Sequence, residues 1–130
     1  MAKEMTPYDS LESVLDAVRT VIEFSDLPIT SIEQKGFFGN TPLIVAAGWG
    51  NSDAVRILLD AGADINATGE DRDTALHCAV AVEALDVVQM LIDRGASVEI
   101  ADAFGDTPRD FAEEAKDLRI RELLRRTTAP

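Results

Sequence analysis

His77 and Cys78 are the side chains of this chain best suited to act as a base and a nucleophile, and they are its only histidine and only cysteine. They are adjacent in sequence. Neighbours on a helix point about 100° apart, whereas thiol catalysis needs the two groups to face each other. Neither residue has further Cys or His ligands at the spacing of a zinc site. We therefore expect Cys78 to be a small buried hydrophobe, with no Cys–His dyad and no zinc site.

The segment Asp64–Gly69, DINATG, is the other candidate for ion binding, because it begins like a calcium-binding loop. Such a loop ends on a bidentate Glu about six residues after its glycine, and Ala75 occupies that position. The chain also lacks a Gly-rich phosphate-binding loop. The sequence therefore predicts no cofactor and no metal.

Acidic residues outnumber basic ones by 24 to 12, which gives a net charge of −12. Nucleic acids and anionic membranes are bound through Lys and Arg, so the charge argues against both as partners. It favours a basic protein partner, although acidity also serves solubility alone. No apolar run reaches the ~20 residues of a membrane span, and the N-terminus lacks a signal-peptide pattern, so we expect a cytoplasmic protein.

The sequence repeats with a period of 33 residues. Laying 36–68 over 69–101 without a gap gives ten identities, and the same step continues into 102–130. A threonine, for example, recurs at Thr41, Thr74 and Thr107. Such a period indicates a stack of similar units.

Each copy carries the signals of two helices joined by a turn. In NTPL, Thr41 suits a helix N-cap and Pro42 the first helical position. In DAVRILLDAGADINA the apolar residues recur at helical spacing, and Gly62 suits a C-terminal cap. No single copy can bury its apolar face, so the copies must stack around a shared core. This predicts an all-α solenoid of helix-turn-helix units joined by short β-hairpin or extended fingers.

The segments TPLIVAA…AVRILLDAGADINA and TALHCAV…DVVQMLIDRGASVEI resemble ankyrin repeats, whose period is 33 residues. The resemblance is strong over 36–101 and weaker over 102–126. It implies that His77, the H of a T-P-L-H-like motif, makes local backbone hydrogen bonds. It also implies a non-enzyme. Acid/base catalysis needs two carboxyl groups in contrasting environments, which a solenoid with solvated acids does not suggest.

The whole chain, 1–130, is predicted to form one domain. Its parts are a helical cap or degenerate repeat at 1–35, repeats at 36–68 and 69–101, and a capping repeat at 102–130. The cap has an amphipathic helix that Asp9 or Ser10 begins. The apolar stripe of that helix consists of Leu11, Val14, Leu15, Val18 and Ile22.

Two kinds of departure from the repeat pattern carry structural predictions. Arg72 and Glu83 replace turn glycines, so the middle repeat should have unusual turns. In the last copy Arg109, Arg121 and Arg125 replace apolar residues. The resulting charged outer face suits the end of a stack.

The resemblance places partner binding on the finger tips and on the exposed side of each first helix, which together form a concave surface. Large exposed aromatics there are typical interface anchors, although Phe38 or Trp49 could instead pack within the protein. In the third repeat the same positions include Glu114 and Ala115. Read in register, the predicted partner-binding residues are Phe37, Phe38, Asn40, Trp49, Glu70, Asp71, Asp73, Val82, Phe104 and Asp106.

We therefore expect a non-catalytic protein-binding module that is monomeric when free. It would bind a basic protein stoichiometrically, as a binder or an inhibitor. The narrower hypothesis is a bacterial immunity protein or antitoxin that neutralises a toxin enzyme. The alternatives are an architectural homo-oligomer subunit and an enzyme built around His77.

Overall fold

The computed structural model describes residues 9–20, 31–36 and 39–127, and these fold into seven α-helices with no β-strand among them. A 3₁₀ turn at Glu70–Arg72 lies before the fourth helix. The α-helices are α1 (Leu11–Arg19), α2 (Pro42–Trp49), α3 (Ser52–Asp60), α4 (Ala75–Ala81), α5 (Leu85–Asp93), α6 (Pro108–Glu113) and α7 (Leu118–Arg126).

The first helix of each repeat begins at the predicted threonine. In α2, α4 and α6 the threonine hydroxyl accepts a hydrogen bond from a backbone N–H of the first turn. For Thr41 the donor is the N–H of Ile44, at 3.3 Å. Capping of this kind satisfies one of the donors that a helix start leaves without an intrahelical partner. These helices are short, and apart from His77 their buried side chains are small or apolar.

The helices stack in two rows. The first helices α2, α4 and α6 pack side by side, and α1, α3, α5 and α7 form the second row. One core runs between the rows, with Leu43, Leu58, Leu76, Leu91 and Leu124 fully buried. The predicted all-α solenoid is therefore confirmed.

Helix α1 lies in the row of second helices and packs mainly on α3. Ser10 is its N-cap, and Val14 and Val18 of the predicted stripe are buried. Ile22 lies outside the described residues. Helix α1 thus lies in the row of second helices, and the assignment of 1–35 as a cap or a degenerate repeat stays a prediction.

The fingers are tight turns that repeat the same hydrogen bond. The N–H of the first finger residue donates to the carbonyl of the fifth, at 2.9, 2.9 and 2.8 Å in the three copies. An isolated bridge between Thr68 and Thr74 is the β-type pairing among the described residues. We call the three turns the first finger (36–40), the second finger (69–73) and the third finger (102–106).

The middle repeat has the unusual turns that its sequence predicts. Asp71, Arg72 and Glu83 adopt positive φ of 56°, 63° and 56°. Gly39, Gly105 and Gly50 occupy the positions equivalent to Arg72 and Glu83, also with positive φ. Left-handed backbone costs a non-glycine residue about 1 kcal/mol or more, so other contacts must hold these turns.

Of the three arginines that replace apolar residues in the last repeat, Arg109 and Arg121 bind backbone carbonyls, whereas Arg125 pairs with Glu113. Arg109 donates to the carbonyls of Leu124 and Thr127 and also pairs with Glu99 at 2.8 Å. Arg121 donates to the carbonyl of Ala115. Arg109 thus donates to carbonyls at the end of α7, because the last carbonyls of a helix have no intrahelical N–H partner. Among the described helices, none is long and apolar enough to cross a bilayer.

Candidate functional site

His77 is fully buried and links the start of α4 to the third finger. Its Nδ1 accepts the N–H of Thr74 at 3.0 Å, so the ring proton is on Nε2. Nε2 then donates to the carbonyl of Asp106 at 2.8 Å. The ring edge of His77 also meets Phe111, with centroids 4.9 Å apart. Both ring nitrogens therefore serve backbone groups, in line with the role that the sequence motif implies.

Cys78 is half-buried on α4 beside His77. Burial raises the pKa of its thiol to about 12, and the negative charges of Asp73 and Glu70 add to the shift. A thiol with such a pKa is not ionised near neutrality, and the thiolate is the reactive form. Cys78 thus has the environment of a structural residue.

Asp73 and Asp102 lie together where the second and third fingers meet. Burial, followed by the hydrogen bond and charge of Asp102, raises the pKa of Asp73 to about 7. Backbone N–H donors from Asp106 and Phe104 lower the pKa of Asp102. The two carboxyl groups thus have contrasting environments, but they contact each other and are not held apart in a pocket as acid/base catalysis requires. Two neighbouring repeats supply one carboxyl group each, a contact that composition does not reveal.

Asp73, His77 and Asp102 bring one potential metal-ligand atom each within 4.8 Å of the others. Three such groups could in principle hold a cation. The Nδ1 lone pair of His77 is used by the N–H of Thr74, and Nε2 carries the proton donated to Asp106. Oδ1 of Asp102 already accepts two N–H groups. The ring nitrogens of His77 and Oδ1 of Asp102 are thus already used in hydrogen bonds, which favours a structural contact over a cation site.

The first finger contains three of the predicted binding residues, Phe37, Phe38 and Asn40. Phe37 and Phe38 lie outside the described residues, and their predicted role stays a prediction. Asn40 is half-buried, and its Oδ1 accepts the N–H of Glu70 at 2.8 Å. The side chain of Asn40 therefore connects the first finger to the second.

The predicted apolar contacts Trp49, Val82 and Phe104 are exposed to 38%, 51% and 74%. Trp49 and Val82 occupy equivalent positions at the ends of α2 and α4, which pack together, and Phe104 lies on the third finger. Ala115, in the same register, is only 4% exposed, so its predicted exposure is wrong. Ala115 instead packs into the core.

The acidic residues of the second and third fingers have no arginine partner among the described residues. Glu70, Asp71 and Asp106 are exposed, and none of the ion pairs among the described residues uses an acid of a finger. Arg72 is the one basic residue of the second and third fingers. Elsewhere arginines sit beside acids, as in the pair of Arg94 with Asp60 at 2.8 Å.

A groove of about 590 Å³ lies between the end of α4 and helix α6. Val80 and Phe111 contribute apolar walls. Of its acids, Glu83 accepts the N–H groups of Lys116 and Asp117, Asp110 caps its own helix, and Glu113 pairs with Arg125. Asp106 and Glu114, which also line the groove, have no ion pair within the described part of the chain.

We call the three fingers, together with the exposed residues of α2, α4 and α6 and the residues that immediately follow these helices, the inner face. It unites Trp49, Val82, Phe104, Asp106 and Glu114. Leu118 is also exposed, to 68%, but it begins α7 in the other row. Sequence reasoning did not single out Leu118, and its register with the half-buried Leu85 gives no signal of exposure.

Comparison with known proteins gives a consistent result. A family model described as "Ankyrin repeats (3 copies)" matches residues 11–102. BRCA1-associated RING domain protein 1 of Caenorhabditis elegans is 39% identical over 87 residues, which are 66% of this chain and 12% of that protein. Zinc finger CCCH domain-containing protein 56 of Arabidopsis thaliana is 44% identical over 75 residues, 54% of this chain and 11% of that protein.

The human protein "Ankyrin repeat and KH domain-containing protein 1" is 39% identical over 80 residues, which are 60% of this chain and 3% of that protein. The chain thus spans only a small part of the length of these relatives. What they share with it is the repeat region, and such repeats generally serve as non-catalytic protein interaction modules. The repeating fingers, the threonine-capped helices and the matched family model show that this chain belongs to the ankyrin-repeat family.

Proposed function

We propose that the inner face binds a basic segment of a protein partner, and that the protein acts as a stoichiometric binder or inhibitor without catalysis. The observation that supports this most is the placement of charge and apolar surface. Exposed Trp49, Val82 and Phe104 lie on the same face as acids that have no arginine partner in the described structure.

The apolar residues would supply most of the binding free energy. Aromatic side chains that become fully desolvated are typical hot spots, each worth about 2 kcal/mol or more. Phe104, at 74% exposure, offers nearly its whole ring to a partner. Trp49 and Val82 extend the apolar contact to the far end of the first helices.

The acids would supply orientation and speed of association. Seven acids against two bases in 69–101 make the middle repeat strongly negative. Exposed complementary charges raise association rates more than they raise affinity, and salt weakens their effect. Asp106 and Glu114 place such charges in the groove, beside the ring of Phe111.

The narrower proposal is that binding neutralises a basic enzyme, in the manner of an immunity protein or antitoxin. It is supported only by the net charge and by the shape of the inner face. None of the relatives named above carries such a role in its name. A localisation in the cytoplasm is likewise proposed from the composition alone.

Affinity capture from a lysate of the source organism, followed by mass spectrometry and titration of the purified partner, tests the proposal. The double variant Trp49→Ala/Phe104→Ala should weaken partner binding by about 30-fold or more. The matched control is Leu118→Ala, which removes an equally exposed side chain from the opposite row. Equal loss in both variants, or none in the double variant, would contradict the assignment of the inner face.

The electrostatic contribution to partner binding is tested with two matched double variants. Asp106→Asn/Glu114→Gln removes two charges from the inner face, whereas Asp93→Asn/Glu122→Gln removes two from α5 and α7. The first should slow association by about 10-fold at low salt and the second should not. A basic partner is ruled out if both behave alike. Sedimentation at dilute concentration decides the alternative, since a stable self-associated species would favour an architectural homo-oligomer.

A further inference from the structure

The contact between the second and third fingers differs from the contact between the first and second. In each case the fifth residue of one finger faces the first residue of the next. Asn40 faces Gly69, where an added Cβ would clash with Oδ1 of Asn40. By the same register, Asp73 faces Asp102, and two carboxyl groups take the place of an amide and a glycine.

Asp73 also lacks the hydrogen bond that the side chain of Asn40 accepts from the next finger. Oδ1 of Asn40 accepts the N–H of Glu70 in the next finger. The equivalent N–H, that of Ala103, donates instead to the carbonyl of Asp71 at 2.8 Å. Oδ1 of Asp73 is therefore buried with no hydrogen-bond donor in reach. A buried acceptor in this state is costly unless it gains a partner.

Asp102 shows which of the two groups keeps its charge. Its Oδ1 accepts the N–H groups of Phe104 and Asp106, both at 2.9 Å. Donors of this kind stabilise a carboxylate. Asp73 has no comparable donors, so a proton added to the pair belongs on Asp73, from which it can be donated to Asp102.

We propose that Asp73 and Asp102 share one proton between the second and third fingers, and that loss of this proton weakens the contact of the fingers as the pH rises. The shared proton makes the stability of the fold depend on pH, and this effect does not require the proposed partner. Asp73 is one of the predicted partner-binding residues, whereas the sequence analysis did not single out Asp102.

The groups that face Asp73 act in one direction. Glu70 and Asp71 of its own finger and Asp102 of the next all favour the protonated form. His77 and Cys78 face it from α4, with His77 committed to backbone groups. Arg72 adjoins Asp73 along the chain. The neighbourhood thus opposes two simultaneous charges, as in other close carboxyl pairs.

The direction of the pH effect follows from the raised pKa of Asp73. The folded protein holds this proton up to about pH 7, whereas the ordinary value is 3.8. Between these two values the folded state binds more protons than the unfolded state, so stability falls as the pH rises through this range. The lowered pKa of Asp102 has the opposite effect, a loss of stability only at acidic pH.

NMR detection of the side-chain carboxyl carbons in the wild-type protein tests the shared proton directly. One carboxyl of the pair should titrate with a midpoint near 7 and the other below the usual range for Asp. The two transitions belong to the pair, so each signal should sense both. Ordinary midpoints near 4 for both carboxyls would overturn the proposal.

Thermal unfolding between about pH 5 and pH 8 tests the consequence. Asp73→Asn places at this position the residue that the first finger already has, and its amide can donate to Asp102 at any pH. Over this range the melting temperature of the wild type should fall by about 5 °C more than that of Asp73→Asn.

The matched control is Asp106→Asn, at the same register in the third finger, where no described finger follows. It removes the same charge from the chain, so it should keep the pH dependence of the wild type. Equal slopes for the wild type and Asp73→Asn would overturn the proposal. A reduced slope in Asp106→Asn would assign the effect to general charge repulsion instead.

Discussion

At the scale of single residues, the structure shows how one repeat position can take different side chains. Ile44 and His77 occupy the same place on α2 and α4. Ile44 is buried among apolar groups, whereas His77 binds Thr74 and the carbonyl of Asp106. The histidine thus adds a connection between repeats that the isoleucine cannot make. His77 is positioned for structure, because neither ring nitrogen is open to a substrate.

The substitution His77→Ile tests this connection. It keeps a buried side chain of similar size but removes the acceptor of the Thr74 N–H and one of the two donors to the carbonyl of Asp106. We expect the free energy of unfolding, measured in urea, to fall by about 2–3 kcal/mol. Ile44→Leu at the equivalent position is the control and should cost less than about 1.5 kcal/mol. Equal costs would mean that packing alone decides the position.

At the scale of elements, the turns between helices carry strain that neighbouring repeats offset. Glu83 has a positive φ where Gly50 has the same conformation at no cost to a side chain. Its carboxylate accepts the N–H groups of Lys116 and Asp117, both at 2.9 Å. The turn after α4 therefore holds the turn before α7, and the glutamate has a role that a glycine could not perform.

Glu83→Gly sets these two effects against each other. The glycine relieves about 1 kcal/mol of backbone strain, while two hydrogen bonds to a charged acceptor, each worth about 1.5 kcal/mol at the lower limit, are lost. We expect a net loss of about 1–2 kcal/mol in chemical denaturation. Glu83→Gln, which retains one acceptor oxygen, should fall between the wild type and Glu83→Gly. A glycine variant more stable than the wild type would show that strain outweighs the two bonds.

At the scale of the whole molecule, the charge is unevenly placed. The arginines of α1, α3 and α7 lie beside acids, whereas the acids of the fingers have none in the described structure. Exposed ion pairs contribute little to stability. We therefore expect repulsion among the excess acids to outweigh the ion pairs in the electrostatic part of the folding free energy.

This uneven charge predicts the effect of salt on the free protein. Raising NaCl from about 0.01 M to about 0.3 M shortens the screening length severalfold. The melting temperature should rise by roughly 2–4 °C, because repulsion is screened more than the weak surface pairs. Sucrose at equal osmolarity controls for general solvent effects. A fall in the melting temperature would mean that the ion pairs outweigh the repulsion.

The sequence alone determined the repeat, the starts of the first helices and the finger turns, and the family resemblance implied the structural role of His77. These features depend on residues a few positions apart and on a period that is visible without coordinates. It also indicated which turns are unusual, because Arg72 and Glu83 interrupt a pattern of glycines.

Only the tertiary structure decided how neighbouring repeats meet. The facing of Asp73 and Asp102, the hold of Glu83 on the next turn and the burial of Ala115 depend on which positions of two repeats come into contact. Burial and hydrogen bonding then set which acids keep their charge. A periodic sequence specifies each unit locally, but the environment of a side chain between units exists only once the units have stacked.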